Sequence, residues 1–224
     1  MTQRTDEHAS HYVKAMQFDW LTPAYDFVVR WTIPEEAFRR ELIDQARIAS
    51  GQRALDLGCG TGTLCVEIKR RHPDAEVSGI DGDPRILELA RDKARAAGTA
   101  VTFAEGMSYR LPYPDGGFDR VFSTLMLHHL TPENRLRTAE EAFRVLRPGG
   151  SFHVADFGRP HNLAMRAASL TIRVLGGHGH LEDNLAGRLP AIFTESGFER
   201  VRETERFSTF FGTLALYVGV KPSA

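Results

Sequence analysis

The stretch Leu55-Asp56-Leu57-Gly58-Cys59-Gly60-Thr61-Gly62 decides the fold. A short apolar run carries an acidic residue near its end, three glycines follow at alternate positions, and a helical pattern opens at Leu64. This is a β-strand turning into a helix with a ligand close to the turn. Glycines permit the tight bend and leave out side chains that would collide with a bound cofactor, while the free N–H groups of the next helix face it. A dinucleotide fingerprint needs Gly or Ala at the last position of its glycine pattern, and here that position is Thr63. No Gly-Lys-Ser/Thr triplet follows, so a phosphate-cradling loop is excluded as well.

Reading onward, Glu76-Val77-Ser78-Gly79-Ile80-Asp81 is a second strand ending on a carboxylate, about 20 residues beyond the loop, where an acid accepts both hydroxyl protons of a ribose. Asp83 before Pro84 already serves as the helix cap, which frees Asp81 for that role. Apolar runs of strand length alternate with helical patterns from Gln52 on, as in βα units building a mostly parallel sheet. The expected strands are Arg53–Leu57, Glu76–Ile80, Ala100–Ala104, Phe118–Ser123 and Ser151–Asp156. The helices between them are Leu64–Arg71, Pro84–Ala97 and Pro132–Leu146, the last capped by Thr131 and stopped by a turn at Arg147-Pro148-Gly149-Gly150.

Beyond Asp156 the pattern changes. A helix over Asn162–Leu175, a flexible glycine-histidine segment over Gly176–His180 and a helix over Leu185–Ser196 read as an insertion or lid, with Gly197 in the left-handed position past the helix. Two β-rich runs, Glu199–Phe207 and Thr213–Val220, close the sheet as an antiparallel hairpin. Before the first strand, helical patterns at Tyr12–Phe18, Tyr25–Trp31 and Glu35–Ala49 form an aromatic-rich cap. The expected fold is therefore α/β: a Rossmann-like seven-stranded, mostly parallel sheet with helices on both faces, a C-terminal antiparallel strand and an N-terminal helical cap. Residues 1–224 form one domain, divided into the cap (1–50), the ligand-binding core (51–160), the lid (161–197) and the closing strands (198–224).

The chain has 224 residues, 42% of them hydrophobic and 25% charged, as expected of one substantial core. A formal net charge of −1 offers no positive field for a nucleic-acid backbone, so nucleic acid is not an expected partner. Met1–Ser10 lacks the apolar core of a secretory signal, and no apolar stretch reaches the 18 residues of a membrane span; the expected setting is the cytoplasm, without integral membrane association. Cys59 and Cys65 are the only cysteines and suit a reducing compartment; no metal site is expected. The oligomeric state is open, with a homodimer as one option.

Four further motifs stand in order: Gly79-Ile80-Asp81-Gly82-Asp83-Pro84, Leu111-Pro112-Tyr113-Pro114-Asp115-Gly116-Gly117-Phe118-Asp119, Leu127-His128-His129-Leu130, and Arg144-Val145-Leu146-Arg147-Pro148-Gly149-Gly150. With the glycine loop, they make the chain resemble the class I methyltransferases that use S-adenosyl-L-methionine (SAM), within the broad group that includes quinone-biosynthesis C-methyltransferases. The resemblance covers nearly the whole chain. It implies that Asp56, Gly58, Gly60, Thr61 and Gly62 hold the amino-acid end of SAM, that Asp81 and Gly82 hold the ribose, and that Glu105–Ser108 receive the adenine. Tyr25 and Ser123 complete the expected cofactor contacts, and S-adenosyl-L-homocysteine is the expected product. Many relatives carry an aspartate five residues before Pro112. This chain has Met107 there, expected to pack on the adenine face while Ser108 or a backbone carbonyl supplies polar contacts.

The expected acceptor is a small, partly apolar molecule, methylated on O, C, N or S. Ser123-Thr124-Leu125-Met126 replaces the Asn-Pro-Pro-aromatic motif of amino-group methylation, and the two cysteines lie in the cofactor loop and its helix, unlike those of arsenic methylation. Tyr12, Phe18, Trp20, Tyr25 and Trp31 offer aromatic lining. His128 is the expected general base, just past the fourth strand where acceptors approach SAM; His153, His178 and His180 are secondary candidates. The competing reading is a catalytically silent SAM-binding scaffold or regulatory protein, and the glycine loop does not separate the two.

Overall fold

The computed structural model describes residues 35–175 and 182–223. The expected cap patterns at Tyr12–Phe18 and Tyr25–Trp31, the side chain of Tyr25, and the segment with His178 and His180 lie outside these residues.

The described chain opens with α1 (Glu35–Ala46), then β1 (Arg53–Leu57), α2 (Thr63–Arg71), β2 (Glu76–Asp81), α3 (Pro84–Ala96), β3 (Val101–Glu105) and β4 (Phe118–Thr124). A 3₁₀ turn at Leu127–His129 leads to α4 (Pro132–Val145) and β5 (Leu146–Phe157). Then come α5 (Leu163–Leu175), α6 (Glu182–Leu185), α7 (Leu189–Glu195), β6 (Glu199–Thr209) and β7 (Gly212–Val220). The strands form one seven-stranded sheet in the order β3-β2-β1-β4-β5-β7-β6. The first five run parallel, while β7 is antiparallel to both β5 and β6.

The sheet separates two apolar layers. On one face Phe38, Leu42 and Ile43 of α1, Leu64 and Ile68 of α2 and Leu87 of α3 pack together; on the other, Ala139, Ala142 and Val145 of α4 meet Leu189, Ile192 and Phe193 of α7. Strands covered on both faces read as continuous apolar runs, as β7 does over Gly212–Tyr217. Both expected caps form: Asp83 accepts a hydrogen bond from the Arg85 N–H, and Thr131 from the Asn134 N–H, each before a proline in the first turn.

Two expectations about elements are corrected. The helix expected over Leu185–Ser196 is two pieces, α6 and α7, because Gly187 adopts a positive φ of 76° and Pro190 fits only the opening turn of a helix. The stretch Arg147–Gly150 is also not a free turn. Helix α4 ends at Val145 and β5 begins at Leu146, and the glycines are drawn into pairing beyond β7: Gly149 donates to the Lys221 carbonyl, and Lys221 donates back to Gly150. Gly197, past α7, has the expected positive φ, 97°.

Candidate functional site

In this strand order the chain winds outward from β1 to β3 and returns to place β4 on the other side of β1. Loops leaving the carboxyl ends of β1 and β4 therefore part in opposite directions, and the crevice between them is where open α/β sheets take their ligands.

The loop after β1 is held from below. Cys59 donates to the Ile80 carbonyl of β2 at 3.0 Å, and Gly60 N–H donates to Asp81 Oδ2 at 2.9 Å. Its glycines have different reasons to be there. A Cβ on Gly62 would lie 2.8 Å from Phe103 Cζ and 3.0 Å from Ala90, so Gly62 serves the packing of α2 against the sheet and α3. A Cβ on Gly58 would overlap Met126, in the loop after β4. Gly60 alone of the three, with φ 52°, faces nothing within 4 Å and leaves its side open to a ligand.

Asp56 of β1 is buried, its Oδ2 accepts a weak hydrogen bond from the Cys65 thiol at 3.6 Å, and its Oδ1 has no partner among the described residues. Burial pushes the carboxyl up to about 8; the Cys65 thiol opposes this and the nearby Asp81 charge adds to it. A buried carboxylate oxygen without a donor is costly unless a cation or donor arrives. Ser123, the penultimate residue of β4 and paired with Leu57, likewise has a buried hydroxyl without a partner among the described residues.

Asp81 takes two backbone donors, Gly60 N–H on Oδ2 and Asp83 N–H on Oδ1 at 3.0 Å, and adjoins Gly82 at the end of β2. A carboxylate has about four acceptor positions, so capacity is left for two hydroxyls. Thr61 is turned to α3, where Lys93 Nζ reaches Thr61 Oγ1 at 2.6 Å and Thr63 Oγ1 at 2.7 Å. The Ser108 hydroxyl also points inward, 3.0 Å from Thr138 Oγ1 of α4, and the Met107 carbonyl is used by Arg110 N–H. Of the segment expected at the adenine, Ser108 thus offers its backbone rather than its hydroxyl.

On the other side of the crevice, the chain leaves β4 through Leu125, whose φ of 51° is rare for a branched side chain, and enters the 3₁₀ turn. His128 Nδ1 lies 2.8 Å from Asp156 Oδ1 near the end of β5, and His128 N–H donates to Asp156 Oδ2 at 3.3 Å. The His128 side chain is 12% exposed, while Asp156 is fully buried. Burial alone would raise the Asp156 carboxyl, but His128, the Phe157 N–H and His129 together hold it below its ordinary range. Being ionised, Asp156 accepts; the Nδ1 proton therefore sits between them and Nε2 is the ring nitrogen turned away from the carboxylate. His129, its ring 3.9 Å from that of His128, is lowered to about 4 by burial and by His128, and so stays neutral.

His153 sits mid-strand in β5, with Nε2 2.8 Å from Ser151 Oγ and its ring stacked on Phe122; burial lowers it to about 3, and it has no place in the crevice. The sequence pattern gives Asp156 and Arg135 no role of their own. An acid closing the strand next to β4 was the available signal for Asp156.

Comparison with known proteins follows this geometry. A family described as "Methyltransferase domain" matches residues 54–150. The chain is 38% identical over 145 residues to the demethylmenaquinone methyltransferase of Thermus thermophilus, an alignment covering 64% of this chain and 65% of that protein. It is 31% identical over 206 residues to the ubiquinone/menaquinone biosynthesis C-methyltransferase UbiE of Pseudomonas aeruginosa, covering 83% of this chain and 78% of that one. Among solved structures, the S-adenosylmethionine-dependent methyltransferase SibL superposes with a TM-score of 0.71 at 23% identity, over 89% of this chain and 58% of that one.

Proposed function

The chain belongs to the class I SAM-dependent methyltransferases, and from that membership we propose that it transfers the methyl group of SAM to a ring carbon of a hydroxylated quinol-type acceptor, with His128 as the proton-accepting residue. The quinone-methylating relatives support the acceptor class. The observation that carries the mechanism is the His128–Asp156 pair, 2.8 Å apart beside the glycine loop's crevice.

The residues fit the cofactor. The unpartnered Asp56 oxygen suits the ammonium group of SAM, the open face at Gly60 suits a close backbone approach, and Asp81 suits the ribose. Gly58, Gly62 and Thr61 shape the loop, Gly82 and Met107 border the nucleoside, and Ser123 offers a hydroxyl at the end of β4. Tyr25, outside the described residues, stays in the proposed contact set. Bound SAM supplies an electrophilic methyl on a sulfonium, and transfer leaves S-adenosyl-L-homocysteine.

A quinol carbon is nucleophilic when its neighbouring hydroxyl is deprotonated. His128 Nε2 takes that hydroxyl proton, Asp156 stabilises the resulting imidazolium, and neutral His129 adds no competing cation. A ring proton then leaves to solvent to restore aromaticity and the His128 imidazolium returns its proton to the ring oxygen, so one methyl is gained for one proton lost overall. In this reading the chain acts as a single 1–224 domain, and the parts of 161–197 among the described residues lie on the acceptor side. No helix among the described residues is long and apolar enough to cross a membrane.

The test is transfer of labelled methyl from SAM to a short-tailed 2-prenyl-1,4-naphthoquinol and to a matching benzoquinol. A labelled C-methyl product on either supports the reading; SAM binding with no labelled product on either sinks the acceptor assignment.

A further inference from the structure

The 3₁₀ turn that carries His128 is only three residues long, too short to hold its own geometry. It is pinned from two sides. Asp156 of β5 takes the imidazole and the His128 N–H, as described. From α4, Arg135 takes the backbone: Nε donates to the Leu127 carbonyl at 3.1 Å and a terminal nitrogen to the Leu130 carbonyl at 3.1 Å, the two residues that bracket His128 and His129. The other terminal nitrogen pairs with Asp183 Oδ2 of α6 at 3.2 Å.

Arg135 has no exposed surface at all, which makes it an expensive residue to keep. A methionine would fill similar volume without the desolvation cost. What a methionine lacks is the planar fork that reaches two carbonyls and a carboxylate at fixed angles. The Asp183 end matters because α6 directly follows the segment after α5 and because exposed Arg188 also reaches Asp183, at 3.4 Å. The conformation of α6 is thus linked to the turn beneath it by one guanidinium.

We propose that Arg135 is a positioning residue for the methyl-transfer reaction, fixing the backbone of the Leu127–Leu130 turn so that His128 presents Nε2 to the acceptor, and that Asp183 sets the orientation of Arg135 from α6. This rests on the reading of His128 as the base. The hydrogen bonds described for Asp56, Gly60 and Asp81 run to Cys65 and the loop backbone rather than to Arg135, Asp156 or Asp183, so SAM affinity should be spared when this network is cut.

The variants Arg135→Met, Arg135→Lys and Asp183→Asn test this. Three quantities are read: SAM affinity by calorimetry, kcat and KM on 2-prenyl-1,4-naphthoquinol, and the proton NMR resonance of the His128 Nδ1–H shared with Asp156, assigned by its loss in His128→Gln. Arg135→Met should lower kcat tenfold or more with KM for SAM within twofold, and should shift or broaden the Nδ1–H resonance. Arg135→Lys, which keeps the charge but not the fork, should fall between Met and the parent. Asp183→Asn should cost about threefold and carries the test if both Arg135 variants fail to fold. Parent-like kcat and an unmoved Nδ1–H resonance in the folded variants would overturn the inference. If His128→Gln itself turns over normally, the base assignment fails, and the resonance in the Arg135 variants still reports whether Arg135 holds the turn.

Discussion

His128 and Asp156 share a proton at 2.8 Å although 28 residues separate them, and the same aspartate accepts the backbone N–H of that histidine at 3.3 Å. One buried carboxylate thereby fixes both the tautomer and the position of the ring.

Asp156→Asn offers the Nδ1 side a donor as well as an acceptor and so favours the wrong tautomer. Turnover on the naphthoquinol should fall by about 100-fold or more, within the range expected for loss of general-base catalysis. SAM affinity should stay within about twofold, since Asp156 lies on the acceptor side. A parent-like kcat would return the pair to a structural role.

With Asp56 as the proposed partner of the SAM ammonium group, SAM binding should depend on pH. Its carboxyl is raised to about 8 by burial, above the unfolded value near 4. A raised carboxyl contributes stability that is complete below the unfolded value and lost as pH rises through the folded value. The ligand-free protein should therefore lose stability as pH climbs from about 4 toward 8 on this account. An arriving ammonium group favours the ionised form, so at pH 6.5 binding should release a proton. Titration calorimetry in buffers of different ionisation enthalpy reads this directly, and Asp56→Asn should abolish the buffer dependence.

The glycines of the loop should separate in their defects. Gly62→Ala forces a Cβ to within 2.8 Å of Phe103 and 3.0 Å of Ala90, so it should lower the melting temperature of the ligand-free protein by several degrees. Gly60→Ala meets nothing and carries only the left-handed strain of roughly 1 kcal/mol. Its larger effect should be on SAM affinity, and equal SAM affinity in Gly60→Ala and the parent would show that the ligand does not approach there.

Asp81→Ala leaves Gly60 N–H and Asp83 N–H without their acceptor and removes the proposed ribose partner. SAM affinity should weaken by about 10- to 100-fold, as for the net loss of one hydrogen bond to a charged group at roughly 1.5–3 kcal/mol. Asp81→Asn, which keeps one acceptor oxygen, should lie between. Calorimetry reads this directly, and unchanged SAM affinity in Asp81→Ala would refute the ribose role.

His153 sets an acid limit. Burial lowers it to about 3, below the unfolded value near 6.5, so protonation favours unfolding and stability falls as pH drops below about 6.5. By pH 5 this amounts to roughly 2 kcal/mol at 1.4 kcal/mol per pH unit. Asp56 acts in the opposite direction over the same range, so the readout is the difference between proteins: His153→Phe, which can stack on Phe122 in the same way, should gain melting temperature relative to the parent on going from pH 7 to pH 5.

Much of the scaffold was legible because the signals are local. The alternating apolar runs, the Asp83-Pro84 and Thr131-Pro132 starts and the glycine loop each depend on residues within one turn or strand, and the strands and caps formed where that chemistry put them. The exceptions are instructive. A continuous helix across Leu185–Ser196 fitted the apolar spacing, yet Gly187 and Pro190 broke it; breakers outweigh periodicity in so short a segment. Arg147–Gly150 read as a turn because glycine and proline usually mark one, and no local signal announced that Lys221, more than 70 residues on, would pair with it.

The sequence by itself determined the βα order, the glycine loop after β1, the acid at the end of β2 and the histidines past β4, because each is a property of neighbouring residues. Only the tertiary structure decided what those side chains are free to do. Parallel pairing of β4 with β5 brought Asp156 to His128, packing of α4 under the turn committed Arg135 to its carbonyls, and Thr138 drew the Ser108 hydroxyl inward. A polar group's role follows from which partners reach it in a dry interior, and that is settled by contacts between residues distant in the chain.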